Sequence, residues 1–211
     1  RVHYVLCVIA DLIIKTFEPN GTYKVVVGNT ADKSVTMGPV ATASQLRDVR
    51  AGIDRLAAQT TIVCGGSDAV AGAGAPDGKG FYVAPTLLRA ESAESAPDVH
   101  QHEVFGPCAT VIPYNGEASE AARIVALGGG SLVSATYTDD RKWLKEFLFG
   151  AAPWNGRVLA CTAKVADETL HPGMVLPNCL HGGPGRAGGG EELGGLRGLE
   201  FYTQRVAIQG D

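Results

Sequence analysis

The sequence predicts an α/β protein, a mostly parallel sheet flanked by helices, on three observations. Short runs rich in β-branched and apolar residues alternate with stretches of helical period along most of the 211 residues. Glycine or proline punctuates most junctions between them, and the chain carries 28 Gly and 11 Pro with which to do so. Finally, a chain of this length supports one substantial hydrophobic core but not two full domains.

The elements follow in order. Residues 2–6 read as a strand and residues 8–17 as a helix, closed by Pro19 and the turn at Asn20-Gly21. The clearest helix is 44–59, where Leu46, Val49, Ile53 and Leu56 recur at spacings of three and four while Arg47, Asp48, Arg50 and Arg55 fill the other face. Its β-branched content makes 61–64 a short buried strand, which runs into a Gly/Ala-rich loop over 65–80. Residues 81–83 and 109–112 read as further strands, 118–127 as a helix and 132–137 as the next strand. Asp139 or Asp140 then caps a helix to residue 149, because a carboxylate there accepts the unpaired first-turn N–H groups. Residues 157–160 form another strand, and after a glycine-rich stretch over 181–198 come a helix at 199–203 and a last strand at 205–209. The expected division is a main domain over 1–198 and a C-terminal helix and strand over 199–211.

Composition excludes several partners. A net charge of −4 with no long Lys/Arg run leaves no electrostatic footprint for nucleic acid or an anionic membrane. The apolar run at 5–14 is interrupted by Asp11, is followed by no small-residue cleavage site, and falls well short of the ~20 residues a bilayer requires. Five cysteines, odd in number and with no CxxC pair, argue against a disulfide framework or a zinc site, so a reducing cytoplasm is the expected compartment. The chain opens on Arg1 and not Met, which sets the expectation of a piece of a longer protein.

Two clusters carry chemistry. Gly183, Gly185 and Gly188 spell GxGxxG, but Pro184 lies inside the string, and Gly189, Gly190, Glu191 and Glu192 follow where a dinucleotide fingerprint needs an apolar helix. These residue types favour a tight loop lying close to other backbone. The second cluster is residues 101–107, Gln-His-Glu-Val-Phe-Gly-Pro. In extended chain residues two apart point to the same side, so Glu103 and Phe105 can face one ligand, the carboxylate accepting from a vicinal diol and the ring lying against a heterocycle. The other reading is a capped turn with Phe105 in the core. His100 and His102 lie nearby, but two histidines without a third ligand are read as surface or hydrogen-bonded residues, and no metal is expected.

Three segments in this order resemble the aldehyde dehydrogenase superfamily. Met37-Gly38-Pro39 with the helix after it is similar to the family's Gly-Pro turn and helix. Residues 80–86, Gly-Phe-Tyr-Val-Ala-Pro-Thr, followed by Glu103-Val104-Phe105-Gly106-Pro107, resemble its paired Phe-Pro-Thr and Glu-x-Phe-Gly-Pro motifs. The stretch 181–198, ending in Tyr202-Thr203-Gln204-Arg205, is most similar to the CoA-linked semialdehyde dehydrogenases of phenylacetate and benzoate degradation. Glu192-Leu193-Gly194-Gly195 resembles the family's base-glutamate string, but that string lies upstream of the nucleophile, and here it is read as loop.

The resemblance implies an aldehyde substrate, NADP or NAD as cofactor, Glu103 on the nicotinamide ribose and Phe105 by the nicotinamide ring. It also implies His181, Gly182 and Gly183 at the aldehyde entrance, and a homo-oligomer assembled through strand 205–209. In such an enzyme a cysteine thiolate attacks the aldehyde, hydride passes to the nicotinamide, and a glutamate-activated water releases the acid. Here the sequence departs from the pattern. None of Cys7, Cys64, Cys108, Cys161 and Cys179 lies in a Gly-Gln-x-Cys string, and the base glutamate and the phosphate-binding segment are missing from the 211 residues. The expectation is therefore the catalytic-domain part of such an enzyme, inactive in isolation, with a non-catalytic assembly or binding module of the same fold as the alternative.

Overall fold

A computed structural model describes residues 4–7 (backbone only), 25–165, 181–191 and 195–211. In chain order its elements are β1 (Tyr4–Cys7), α1 (Ala43–Ala57), β2 (Thr61–Cys64), β3 (Thr86–Arg89), α2 (Pro97–Gln101), β4 (Cys108–Val111), α3 (Ala118–Leu127), β5 (Ser131–Tyr137), α4 (Arg141–Ala151), β6 (Asn155–Cys161) and α5 (Leu196–Glu200). The α/β class stands. The chain divides into two compact units, one of Ile9–Asn115 and one of Arg1–Val8 with Gly116–Asp211. The helix expected over 8–17 lies outside the described residues.

In the Ile9–Asn115 unit, α1 starts where Thr42 Oγ1 accepts the Gln45 N–H at 3.1 Å, satisfying one of the orphan first-turn donors. Its apolar stripe buries Val49, Ile53 and Leu56 against Val83, Leu88 and Cys108. Each such side chain contributes about 1.5–3 kcal/mol by leaving water, and together they anchor the helix to its sheet. That sheet has the order β2-β3-β4, with β2 antiparallel and β4 parallel to β3.

Two expectations are corrected here. Strand β2 is not buried: among the described residues it lies at the sheet edge, with Ile62 45% and Val63 51% exposed, because β-branched residues favour extended backbone without dictating which face is covered. Residues 81–83 form no strand. Tyr82 and Val83 are buried and the Phe81 carbonyl accepts from Val40 N at 2.9 Å, but the ladder begins only after Pro85, where Thr86 N donates to Pro107 O at 2.8 Å.

In the other unit the order is β1-β5-β6, with β1 antiparallel and β6 parallel to β5. The middle of β5 is buried on both faces, from Val133 to Thr136. Asp140 is the cap of α4: one carboxylate oxygen accepts from Lys142 N at 2.9 Å and Trp143 N at 3.0 Å. The helix buries Phe147 completely and stacks it on Trp143 with ring centroids 5.2 Å apart, while the Trp143 indole donates to Gly116 O at 2.8 Å. Buried Asn155 accepts from the Ser131 and Ser134 hydroxyls and donates to Ala151 O at 2.6 Å, so its amide is satisfied on both sides.

The C-terminal helix forms at Leu196–Glu200, earlier than the 199–203 expected. Residues 205–209 form no strand in the chain by itself: the segment finds no ladder partner among the described residues, and Val206 is 71% and Ile208 92% exposed. No helix among the described residues is long and apolar enough to cross a membrane.

Candidate functional site

The Glu103–Phe105 segment leaves α2 in extended conformation, beginning at His102 with φ −121° and ψ 115°. Exposure alternates along it. Glu103 is exposed, Val104 is half-buried against the core around Val49 and Ile53, and Phe105 is 74% exposed. The half-buried residue thus lies between two exposed neighbours. The reading of Phe105 as a core residue in a capped turn is set aside by its exposure.

Close contacts hold this segment on α1. A Cβ built on Gly52 would lie 2.9 Å from Val104 Cγ2, and one on Gly106 would lie 2.6 Å from both Val49 methyls, so the segment sits where only glycine leaves room. Gly106 N donates to Val104 O, and Cys108 N to Gly106 O, each at 2.8 Å. Gln45, which sequence reasoning did not single out, donates from Nε2 to Phe105 O at 3.2 Å.

Below the segment, Arg55 grips Asp98 with two bonds of 2.8 and 3.1 Å, and this holds the Asp98 carboxyl below the usual carboxylate range. The His100 ring bonds Ala93 O at 2.8 Å through Nε2, as a hydrogen-bonded histidine does. Among the described residues no group of three His, Cys, Asp or Glu is placed to hold a metal ion.

The cysteines fit packing roles where their side chains are described. Burial pushes the Cys108 thiol up to about 11, and burial raises Cys161 as well, so neither supplies a thiolate near neutral pH. Cys64 is half-buried, with its Sγ 3.9 Å from Pro85 O.

The loop carrying His181, Gly182 and Gly183 is built on backbone. Residues Gly185–Ala187 make one tight 3₁₀ turn, Arg186 N donates to Gly129 O at 3.0 Å, and the Arg186 guanidinium donates to Gly128 O at 3.4 Å, just past the end of α3. A Cβ on Gly130 would land on Pro184 O, and one on Gly185 would land on Gly129 O; both glycines hold positive φ, at 123° and 55°. His181 and Gly182 are half-buried and Gly183 is buried. Gly188 is followed by Gly189 and Gly190 and not by a helix, so the GxGxxG letters form a packed loop and not a phosphate cradle. Residues 192–194 of the Glu-Leu-Gly-Gly string lie outside the described residues.

The sequence profile of the aldehyde dehydrogenase family matches residues 2–208. The chain is 39% identical over 175 residues to Protein MaoC of Klebsiella aerogenes, covering 82% of this chain and 50% of that one. It is 36% identical over 158 residues to the 3,4-dehydroadipyl-CoA semialdehyde dehydrogenase of Aromatoleum evansii, covering 75% and 30%. Its fold matches a betaine aldehyde dehydrogenase of Staphylococcus aureus solved in complex with NAD+, with TM-score 0.64 at 24% identity over 84% of this chain and 32% of that one. The chain thus spans half or less of the length of these proteins.

Proposed function

Because this chain belongs to the aldehyde dehydrogenase family, we propose that it is the catalytic-domain part of an NAD(P)-dependent enzyme that oxidises a CoA-linked semialdehyde to the acid. The observation that supports this reading is the segment at 103–105: a carboxylate and an aromatic ring, both exposed, lie on either side of a valine packed on the core. Those two groups suit a ribose with its attached pyridine. Glu103 would accept hydrogen bonds from the vicinal hydroxyls, and the Phe105 ring would lie by the nicotinamide. Bound there, the nicotinamide supplies the hydride acceptor of the oxidation.

On the same reading residues 1–198 belong to the catalytic domain, with His181, Gly182 and Gly183 beside the aldehyde entrance, and 199–211 to subunit assembly. The exposed Val206 and Ile208, two residues apart in a segment without a ladder, support a strand at 205–209 that a second copy completes. NADP is the cofactor the subgroup suggests, and the cytoplasm the compartment. The name of the relative from Aromatoleum evansii, together with the residues at 181–198, supports the CoA-linked substrate.

Glu103→Gln in the enzyme carrying this chain tests the assignment. Removing the charged acceptor should weaken nucleotide binding about tenfold, the worth of one charge-assisted hydrogen bond, while the melting temperature of this exposed position stays put. Unchanged nucleotide affinity and hydride-transfer rate would reject the role. The 211 residues expressed alone should form no NAD(P)H from an aldehyde, since none of their cysteines lies in a Gly-Gln-x-Cys string.

A further inference from the structure

We infer that Gln45 is the positioning residue for the Phe105 ring, an inference that rests on reading residues 103–105 as the nicotinamide clamp. The ring is 74% exposed, so packing of its own surface does not decide where it points. Its direction is set through the backbone. On one side Val104 is held over Gly52 by the core, and on the other the Phe105 carbonyl is held by the Gln45 amide at 3.2 Å. With a neighbouring side chain seated and the following peptide plane fixed, the Cα–Cβ bond of Phe105 has little freedom left.

Gln45 is suited to this because every polar group it offers is engaged. Its backbone N–H donates to Thr42 Oγ1 at 3.1 Å, its Oε1 accepts from Ala41 N at 3.0 Å, and only its Nε2 reaches Phe105, 60 residues along the chain. The first two bonds belong to the start of α1. The third ties that helix end to the proposed clamp, so the two functions of the amide separate atom by atom.

The substitution Gln45→Glu makes use of that separation. It keeps an oxygen for Ala41 N and adds a negative charge to the first turn, where the helix favours it, but it replaces the donor with an oxygen facing the Phe105 carbonyl. The melting temperature should hold, while in the nucleotide-free enzyme the amides of 104–108 should exchange with solvent faster. The Kd for NAD(P) should rise about fivefold, the worth of one ordinary hydrogen bond. In a double-mutant cycle Gln45→Glu should add no further loss to Phe105→Ala, because its effect runs through that ring.

Unchanged exchange at 104–108 would overturn the inference, and so would full additivity in the cycle, which would mean that Gln45 acts on the nucleotide by itself. If exchange quickens while neither Phe105→Ala nor Glu103→Gln alters nucleotide affinity, the positioning stands and the clamp reading falls.

Discussion

The two candidate segments are held in place by opposite means. The segment at 103–107 is placed by a side chain, Val104, seated in the core, with glycines only where its seat would otherwise be filled. The loop at 181–190 is placed chiefly by backbone, with carbonyl and N–H groups of Gly129, Gly130, Pro184 and Arg186 in direct contact and the Arg186 guanidinium adding one bond to Gly128 O. The first arrangement leaves its outward residues free to vary in chemistry without disturbing the fold. The second commits nearly every position to backbone geometry, so a change of residue there acts first on the shape of the loop.

The sharpest break in this comparison is Gly130→Ala. A methyl group there meets the Pro184 carbonyl from a backbone of φ 123°, so strain and overpacking act together, and about 3 kcal/mol or more should be lost. Denaturant unfolding measures the loss, and hydrogen exchange should locate it at 181–190; protection unchanged in that loop would contradict the backbone account. The counterpart in the other unit, Gly106→Ala, sets a methyl 2.6 Å from both Val49 methyls at ordinary φ. Overpacking alone should cost about 1–3 kcal/mol, and relief by the second substitution Val49→Ala would identify the clash as its source.

The smallest effect is expected of Asp98→Asn, below the 103–107 segment. The partner Arg55 depresses the Asp98 pKa in the folded chain, so the stabilisation is present above the ordinary value of 3.8 and is lost as pH falls through the lower folded value. The difference in melting temperature between the parent and Asp98→Asn should therefore be level from pH 7 to pH 5 and should narrow below about pH 4. A difference that widens toward acid would reverse the sign of the argument.

The helices were legible because their information is local. Leu46, Val49, Ile53 and Leu56 give α1 its stripe, and Asp140 gives α4 its cap. Strand signals were less dependable. Phe81, Tyr82 and Val83 have strand composition but no ladder, while Leu87 and Leu88, unremarked in sequence, lie in β3 because Cys108–Val111 is there to pair with them. At 103–105 the alternation anticipated the exposure of Glu103 and Phe105 on either side of half-buried Val104. Gln45 could not be found this way, because its partner lies 60 residues on. Likewise the glycine letters at 183–188 foretold a tight loop but not that Gly129 and Gly130 would be what it lies against.

The exposed edge of β2 has a consequence for handling the protein. Thr61, Ile62, Val63 and Cys64 include no lysine, glutamate or proline, the residues that ordinarily blunt a strand edge against stray partners. An uncharged row of this kind is a template for further strands, so concentrated or heated samples should be lost to precipitation seeded at this edge, and a single lysine at Val63 is the economical way to raise their shelf life.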